Sequence, residues 1–273
     1  MTEGIKEKFI AFIDILGFKH KIELVENNNG LTLKKLKNII KCLGSDKDVE
    51  KYKKNGPEIC PESNYINDDL DFKITRVSDC IIVSSEISPV GLINLMSYCC
   101  GSIFELLSKG IMCRGYILKG NIYHTNSSDE EEGLFLGTGY QRAYEKERGT
   151  PFVEIDSEIC NYIETMEDPC VKKMFNRFVL SDDNVTALFP FKKLSHNFKI
   201  TGDGLNSQFK AKNHRESNDR MRQRIKKMEE DIMSYVDSSN EKVMGKAKHY
   251  INALNKQLEN CDKADKVIDI FGR

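Results

Sequence analysis

Short apolar runs separated by turn residues give the first outline. Residues 8–14 (KFIAFID) form a Phe- and Ile-rich run ending in an acid, which predicts a buried strand. Over 31–43, Leu33, Leu36, Ile39, Ile40 and Leu43 recur at helical spacing with lysines opposite, predicting an amphipathic helix. Polar residues with Gly56, Pro57 and Pro61 make 45–69 a loop. Two brief strands follow, 71–77 and 80–85, and their junction at Ser78-Asp79 is short enough for a hairpin. Residues 89–109 predict a mostly buried helix, with Pro89 near its start and Gly110 just beyond its end. A strand over 111–118 continues through Ile122 and Tyr123, and the acidic SSDEEEG loop after it is solvated. A helix at 139–148 and a strand at 151–155 complete the pattern.

The order strand, helix, strand, strand, helix, strand is the ferredoxin-like βαββαβ arrangement, an α+β fold with helices on one face of a mostly antiparallel sheet. Beyond residue 210 the pattern changes. Met221, Ile225, Met228, Ile232 and Tyr235 repeat at alternating spacings of four and three, and Val243, Ala247, Tyr250, Leu254, Leu258 and Cys261 continue after an Asp237–Asn240 turn. This predicts a helical hairpin with a narrow apolar seam, packed on its own body or on a partner. Residues 1–209 are thus expected to form one domain and 210–273 an appendage.

Charge sharpens that division. The net charge is −1 over 273 residues, but 210–273 carries 15 Lys/Arg against 11 Asp/Glu, leaving about −5 on the rest. Such a balance gives no reason to expect nucleic acid or an anionic membrane as partner. The nine cysteines have irregular spacing, with no CxxC and no zinc-finger pattern, and read as reduced thiols in a cytoplasmic protein. The apolar N-terminal stretch is broken by Asp14 and is too short to span a membrane; no transmembrane segment is expected. His20, His124, His196, His214 and His249 show no metalloprotease or triad spacing and are expected at the surface or in caps. Gly202-Asp203-Gly204 reads as a turn.

Two acids carry the candidate chemistry. Asp14 ends the first strand and Asp79 lies in the hairpin turn. If these strands are neighbours, both carboxylates meet at one rim and make an oxygen-rich site suited to Mg²⁺ or Mn²⁺. The alternative is two strand-end acids, each capping a local turn. Gly17 follows at a strand-to-helix connection, where backbone N–H groups can approach a phosphate.

These residues carry a resemblance. FIDILGF resembles the first metal-binding motif of class III nucleotide cyclases, and SDCIIV resembles that family's second acidic motif, with Ser78 where Gly is usual. Arg114-Gly115-Tyr116-Ile117 resembles the family's RGGI strand. LGTGYQRAYEKE resembles its helix motif, with Gly137, Ala143, Tyr144 and Glu147 fitting the pattern of the pyrimidine cyclases of the bacterial antiphage system called Pycsar. The resemblance covers about residues 8–156 and implies cyclisation of UTP or CTP to the 3′,5′-cyclic nucleotide. The 3′-hydroxyl attacks the α-phosphate and pyrophosphate leaves. Asp14, Asp79 and the carbonyl of Ile15 would hold two Mg²⁺ or Mn²⁺ ions, and the amides around Gly17 and Phe18 would hold phosphate. It also implies a homodimer with shared sites and a separate effector that responds to the cyclic product.

The departures from the family bear on substrate. The adenine-reading Lys position holds Thr75, with Arg76 beside it, and the partner Asp position holds Leu134. The purine-reading pair is therefore absent, which suits a pyrimidine. The transition-state Asn position holds Gln141 and the later Arg position holds Glu145, so Arg114 or Arg142 is the candidate phosphate-facing cation. Those departures also leave open a catalytically silent nucleotide-binding or interaction module of the same fold.

Overall fold

A computed structural model describes residues 4–45, 48, 70–125, 133–147, 152–182, 185–190, 200–201, 204–205, 211–236 and 238–271. Most of the expected 45–69 loop, all of the SSDEEEG segment but Gly133, and His196, Gly202 and Asp203 lie outside the described residues. The chain forms two compact units, one of residues 1–106 with 111–190 and the other of 107–110 with 191–273.

The first unit is built on a mixed sheet. Strands β1 (Lys6–Ile15), β2 (Phe72–Val77), β3 (Cys80–Ser85) and β4 (Cys113–His124) run in the order β2-β3-β1-β4, each antiparallel to its neighbour. This is the split βαβ order expected of a ferredoxin-like core. The sheet extends through β6 (Val153–Ile155), parallel to β4, and then through β8 (Val185–Leu188) and β7 (Val179–Asp182); β5 (Phe135–Leu136) pairs the far end of β4. Helices are α1 (Phe18–Glu26), α2 (Leu33–Ile40), α3 (Pro89–Leu107), α4 (Thr138–Glu147), α5 (Ser157–Glu164) and α6 (Pro169–Phe178). The helix at 18–26 and the elements after 155 escape the periodicity reading. In 18–26 only Phe18 and Lys21 are buried, so there is little apolar repeat to detect.

Alternation along β1 sorts the two faces. Ile10, Phe12 and Asp14 share one face with Cys80, Ile82 and Ser84 of β3 and with Arg114, Tyr116 and Leu118 of β4, by their register. Helix α4 covers this face, with Ala143 buried among Ile10, Phe12, Ile82, Tyr116, Leu118 and Ile122. Its approach is close because three glycines permit it. Gly120 on β4 meets Gly139 on α4 so tightly that an added Cβ would lie 2.8 Å from the Gly139 Cα. Gly137 takes φ 146°, and a Cβ there would strike the Asn121 carbonyl. The helix is then tied down by Lys146, whose Nζ donates to the Tyr116 hydroxyl (3.1 Å) and to Asp156 Oδ2 (3.0 Å), while Asp156 also caps α5 by accepting from the Glu158 amide.

Helix α3 is long and apolar enough to cross a membrane, but most of it is buried within the protein as a core helix. Seven of the cysteines are free thiols, as expected; Cys170 departs from that reading, being disulfide-bonded.

In the second unit, β9 (Ile200–Thr201) and β10 (Gly204–Leu205) form a small ribbon, and α7 (Ala211–Met233) and α8 (Glu241–Phe271) form the expected hairpin. Ile225, Met228 and Ile232 are buried, as are Ala247, Tyr250, Leu254, Cys261, Ala264 and Ile268. Polar bonds fix the register: Asn218 Nδ2 donates to the Cys261 carbonyl (2.9 Å) and Asp265 Oδ1 (2.6 Å), and Arg222 pairs with Asp262 and Asp265. Tyr235, expected in the seam, is exposed because α7 ends at Met233 and the chain turns away from the helical repeat.

Candidate active site

The β2–β3 hairpin places Asp79. Its two-residue loop, Ser78-Asp79, puts Ser78 at φ 53°, a conformation for which Gly is the common choice. The Asp79 carbonyl accepts from the Ile15 amide at 3.1 Å, which fastens the turn to the end of β1. Asp14 stands one residue earlier, opposite Cys80 on one side and Arg114 on the other. Both acids therefore meet at the same end of the sheet.

Asp14 Oδ2 accepts from Arg114 Nε (3.2 Å) and Nη2 (3.1 Å). The same guanidinium is paired with Glu147, the last residue of α4 and almost wholly buried. Burial pushes the Asp14 carboxyl up to about 6, against the Arg114 hydrogen bond, and the charges of Asp79 and Glu147 push the same way. The neighbouring Cys80 thiol is raised to about 12 by burial and by the same three carboxylates. Arg114 is thus shared by two acids, with the charge of Asp79 adding to the negative charge felt at Asp14.

That donor set suits a hard divalent cation, since the available atoms are carboxylate oxygens and the backbone oxygen of Ile15. Among the described residues no group of three or more His, Cys, Asp or Glu converges as a ready-made cage. Two carboxylates completed by phosphate oxygens and water match the way Mg²⁺ is commonly held in phosphoryl-transfer sites.

The other expected residues are distributed as follows. Gly17 caps α1 at φ 71° and is exposed beside the end of β1, with Phe18 buried behind it. Thr75 is buried on the Asp14 face, two strands across, about 12 Å away by ordinary strand spacing and rise. Arg76, its neighbour in sequence, points to the opposite face and donates to the Gly44 carbonyl at 3.1 Å, so the two do not line one pocket. Gln141 and Arg142 are exposed on the outer side of α4, away from the Asp14–Arg114–Glu147 cluster.

Two features escape the sequence reading. Glu147 is named there only as a match to the family's helix pattern, and neither its burial nor its pairing with Arg114 is foreseen. His124, expected at the surface, is buried instead. The far end of β4 curls over the sheet, so that His124 Nδ1 lies 2.8 Å from Ser84 Oγ and Nε2 lies 3.0 Å from Thr75 Oγ1. Nothing in local sequence announces that curl. Beside it stands an aromatic cluster in which Phe135 packs on His124 and Tyr140, and Phe12 on Tyr140 and Tyr144. Around this face Val77, Leu134, Leu136 and Tyr144 are exposed apolar side chains.

No protein-family model matches the chain, and comparison with curated proteins gives no match. Among solved structures the chain is similar to the guanylyl cyclase Cya2, at 10% identity and TM-score 0.38, over 77% of this chain and 98% of the other. It is also similar to a bacterial light-regulated adenylyl cyclase (14%, TM-score 0.40, 68% and 92%) and to the adenylyl cyclase CyaB from P. aeruginosa (12%, TM-score 0.40, 68% and 95%). Likenesses at this level carry no argument about chemistry.

Proposed function

We propose that this chain is a class III-type nucleotide cyclase that converts UTP or CTP to the 3′,5′-cyclic nucleotide and pyrophosphate. The observation that carries the reading is the meeting of Asp14 and Asp79 at one sheet end, fastened by the Ile15–Asp79 backbone bond and faced by Arg114. Asp14, Asp79 and the Ile15 carbonyl would hold Mg²⁺ or Mn²⁺. A bound ion supplies charge neutralisation of the triphosphate and a lowered pKa for the attacking hydroxyl. The chain's own part is to keep Asp14 mostly out of bulk water and to hold Arg114 between Asp14 and Glu147, which leaves a cation beside the two acids. Gly17, exposed and in a left-handed conformation, offers unhindered backbone for phosphate approach.

Thr75 supports a pyrimidine over a purine: a short neutral hydroxyl replaces the long cation that reads adenine in the family. Exposed Val77, Leu134, Leu136 and Tyr144 around the site support a homodimer, with Gln141 and Arg142 of one chain free to reach the site of the other. The cyclic product would act in the cytoplasm through a separate effector in antiphage defence. Replacing Asp79 with Ala tests the assignment: turnover is expected to vanish with the circular dichroism spectrum unchanged, and retained turnover removes Asp79 from the metal site.

One observation favours the silent alternative. Arg114 is already held by two carboxylates, and the usual Asn and Arg positions hold Gln141 and Glu145. Metal-dependent UTP binding without product would support a nucleotide-binding module.

A further inference from the structure

Glu147 stands where an acid is unfavourable on two counts. Its carboxylate is almost wholly buried, and it ends α4, where the negative pole of the helix dipole repels it. Pairing with Arg114 offsets both. The pairing also limits what Arg114 can do to Asp14. A guanidinium that meets one carboxylate alone can sit fork to fork, with one nitrogen on each oxygen. Here Nε is shared between Glu147 Oε1 and Asp14 Oδ2, and Nη2 also ends on Oδ2. Among the described residues both hydrogen bonds to the Asp14 side chain therefore converge on one oxygen, and Oδ1 accepts neither. Charge divides in the same way. The guanidinium is balanced in part by the deeply buried Glu147, so it cancels less of the charge on Asp14, whose carboxylate is the more exposed of the two. Without Glu147, Arg114 would be left to close over both oxygens of Asp14.

We propose that Glu147 is a positioning residue for the divalent ion: by drawing Arg114 toward itself, it keeps one oxygen and the negative charge of Asp14 available to the metal. The inference rests on the reading of Asp14 and Asp79 as metal ligands, and it gives Glu147 no contact with the ion. Groups that orient a metal ligand from behind commonly carry about tenfold or more in metal affinity. Glu147 and Arg114 then act in opposite directions. Removing the acid alone frees Arg114 to cover Asp14 and weakens the ion. Removing both charges returns Asp14 to the metal. A Glu147 that served only the fold would show no such reversal, because the second substitution would add to the damage of the first.

The test measures the Mn²⁺ dissociation constant of the full chain from the free-ion signal in electron paramagnetic resonance, without nucleotide, so that the readout does not depend on turnover. Circular dichroism checks that each variant is folded. Glu147→Gln is expected to weaken Mn²⁺ binding by about tenfold. The double variant Arg114→Gln with Glu147→Gln is expected to return to within about threefold of the unaltered chain. Should Glu147→Gln fail to fold, Glu147→Asp carries the test: it keeps the charge but withdraws it by one methylene, and a weakening of about threefold is expected. Unchanged affinity in the single variant, or a double variant that stays about tenfold weaker than the unaltered chain, overturns the proposal. Asp79→Ala separates this outcome from the metal assignment. If Asp79→Ala abolishes Mn²⁺ binding while the Glu147 variant leaves it unchanged, the metal site stands and the role of Glu147 falls. If the unaltered chain binds no Mn²⁺ at millimolar concentration, or binds it equally well with Asp79→Ala, the metal assignment falls and the proposal with it.

Discussion

Acidification should expose the energetic cost of the buried imidazole. Burial holds His124 down to about 3, against an ordinary value near 6.5. A depressed histidine binds its proton more readily in the unfolded chain. Its contribution is therefore complete above about pH 6.5 and is lost as the pH falls toward 3. At pH 5 the loss is about 2 kcal/mol, from the 1.5-unit distance below 6.5 at roughly 1.4 kcal/mol per unit. Asp14 works in the opposite sense: raised to about 6, its carboxyl penalises the fold at neutral pH and relieves that penalty on acidification, by about 1 kcal/mol over the same window. Comparing the unaltered chain with His124→Gln cancels the Asp14 contribution, since both carry it. In urea unfolding followed by circular dichroism, the unaltered protein should lose about 1 M more in midpoint between pH 7.5 and pH 5 than the variant does, for a slope of about 2 kcal/mol/M. Equal shifts in the two proteins would show that His124 is not held neutral, and the hydrogen-bond chain built on it would fall.

Three further outcomes follow from the packing. Gly137→Ala should lower the melting temperature by about 5 °C, because φ 146° and the Asn121 carbonyl both resist a side chain there; an unchanged melting curve would contradict the close approach of α4 to β4. Asp156→Ala should cost about 2 kcal/mol in denaturant unfolding, through loss of the α5 cap and of the Lys146 and Tyr116 bonds. Asn218→Ala should speed hydrogen exchange in α7 and α8 while leaving β1 and β4 protected, since its two bonds lie within the hairpin.

Much of the sheet is legible in the sequence because its signals are local. The apolar run of β1, the two-residue loop at Ser78-Asp79 and the length of α3 each specify their element without long-range help. The convergence of Asp14 and Asp79 follows once β1 and β3 are neighbours, and the ferredoxin-like order makes them so. Adjacent residues on a strand face opposite ways, which already separates Thr75 from Arg76. What local pattern cannot carry is the curl of β4. It brings His124 back over Ser84, forty residues away in sequence, and the Gly120–Gly139 approach on the same strand likewise joins separate elements. Glu147 is named in the sequence only as part of a helix motif, and its burial is hidden for a related reason: a buried acid makes sense only beside Arg114, thirty-three residues earlier.

The central claim is that the Asp14–Asp79 end of the sheet cyclises a pyrimidine nucleotide. Mass spectrometry of the products formed from an equimolar mixture of the four nucleoside triphosphates with Mn²⁺ tests it most directly. The account predicts cyclic UMP or cyclic CMP from the unaltered chain and none from Asp79→Ala. Cyclic AMP or cyclic GMP as the main product, or no cyclic product at all, would contradict it.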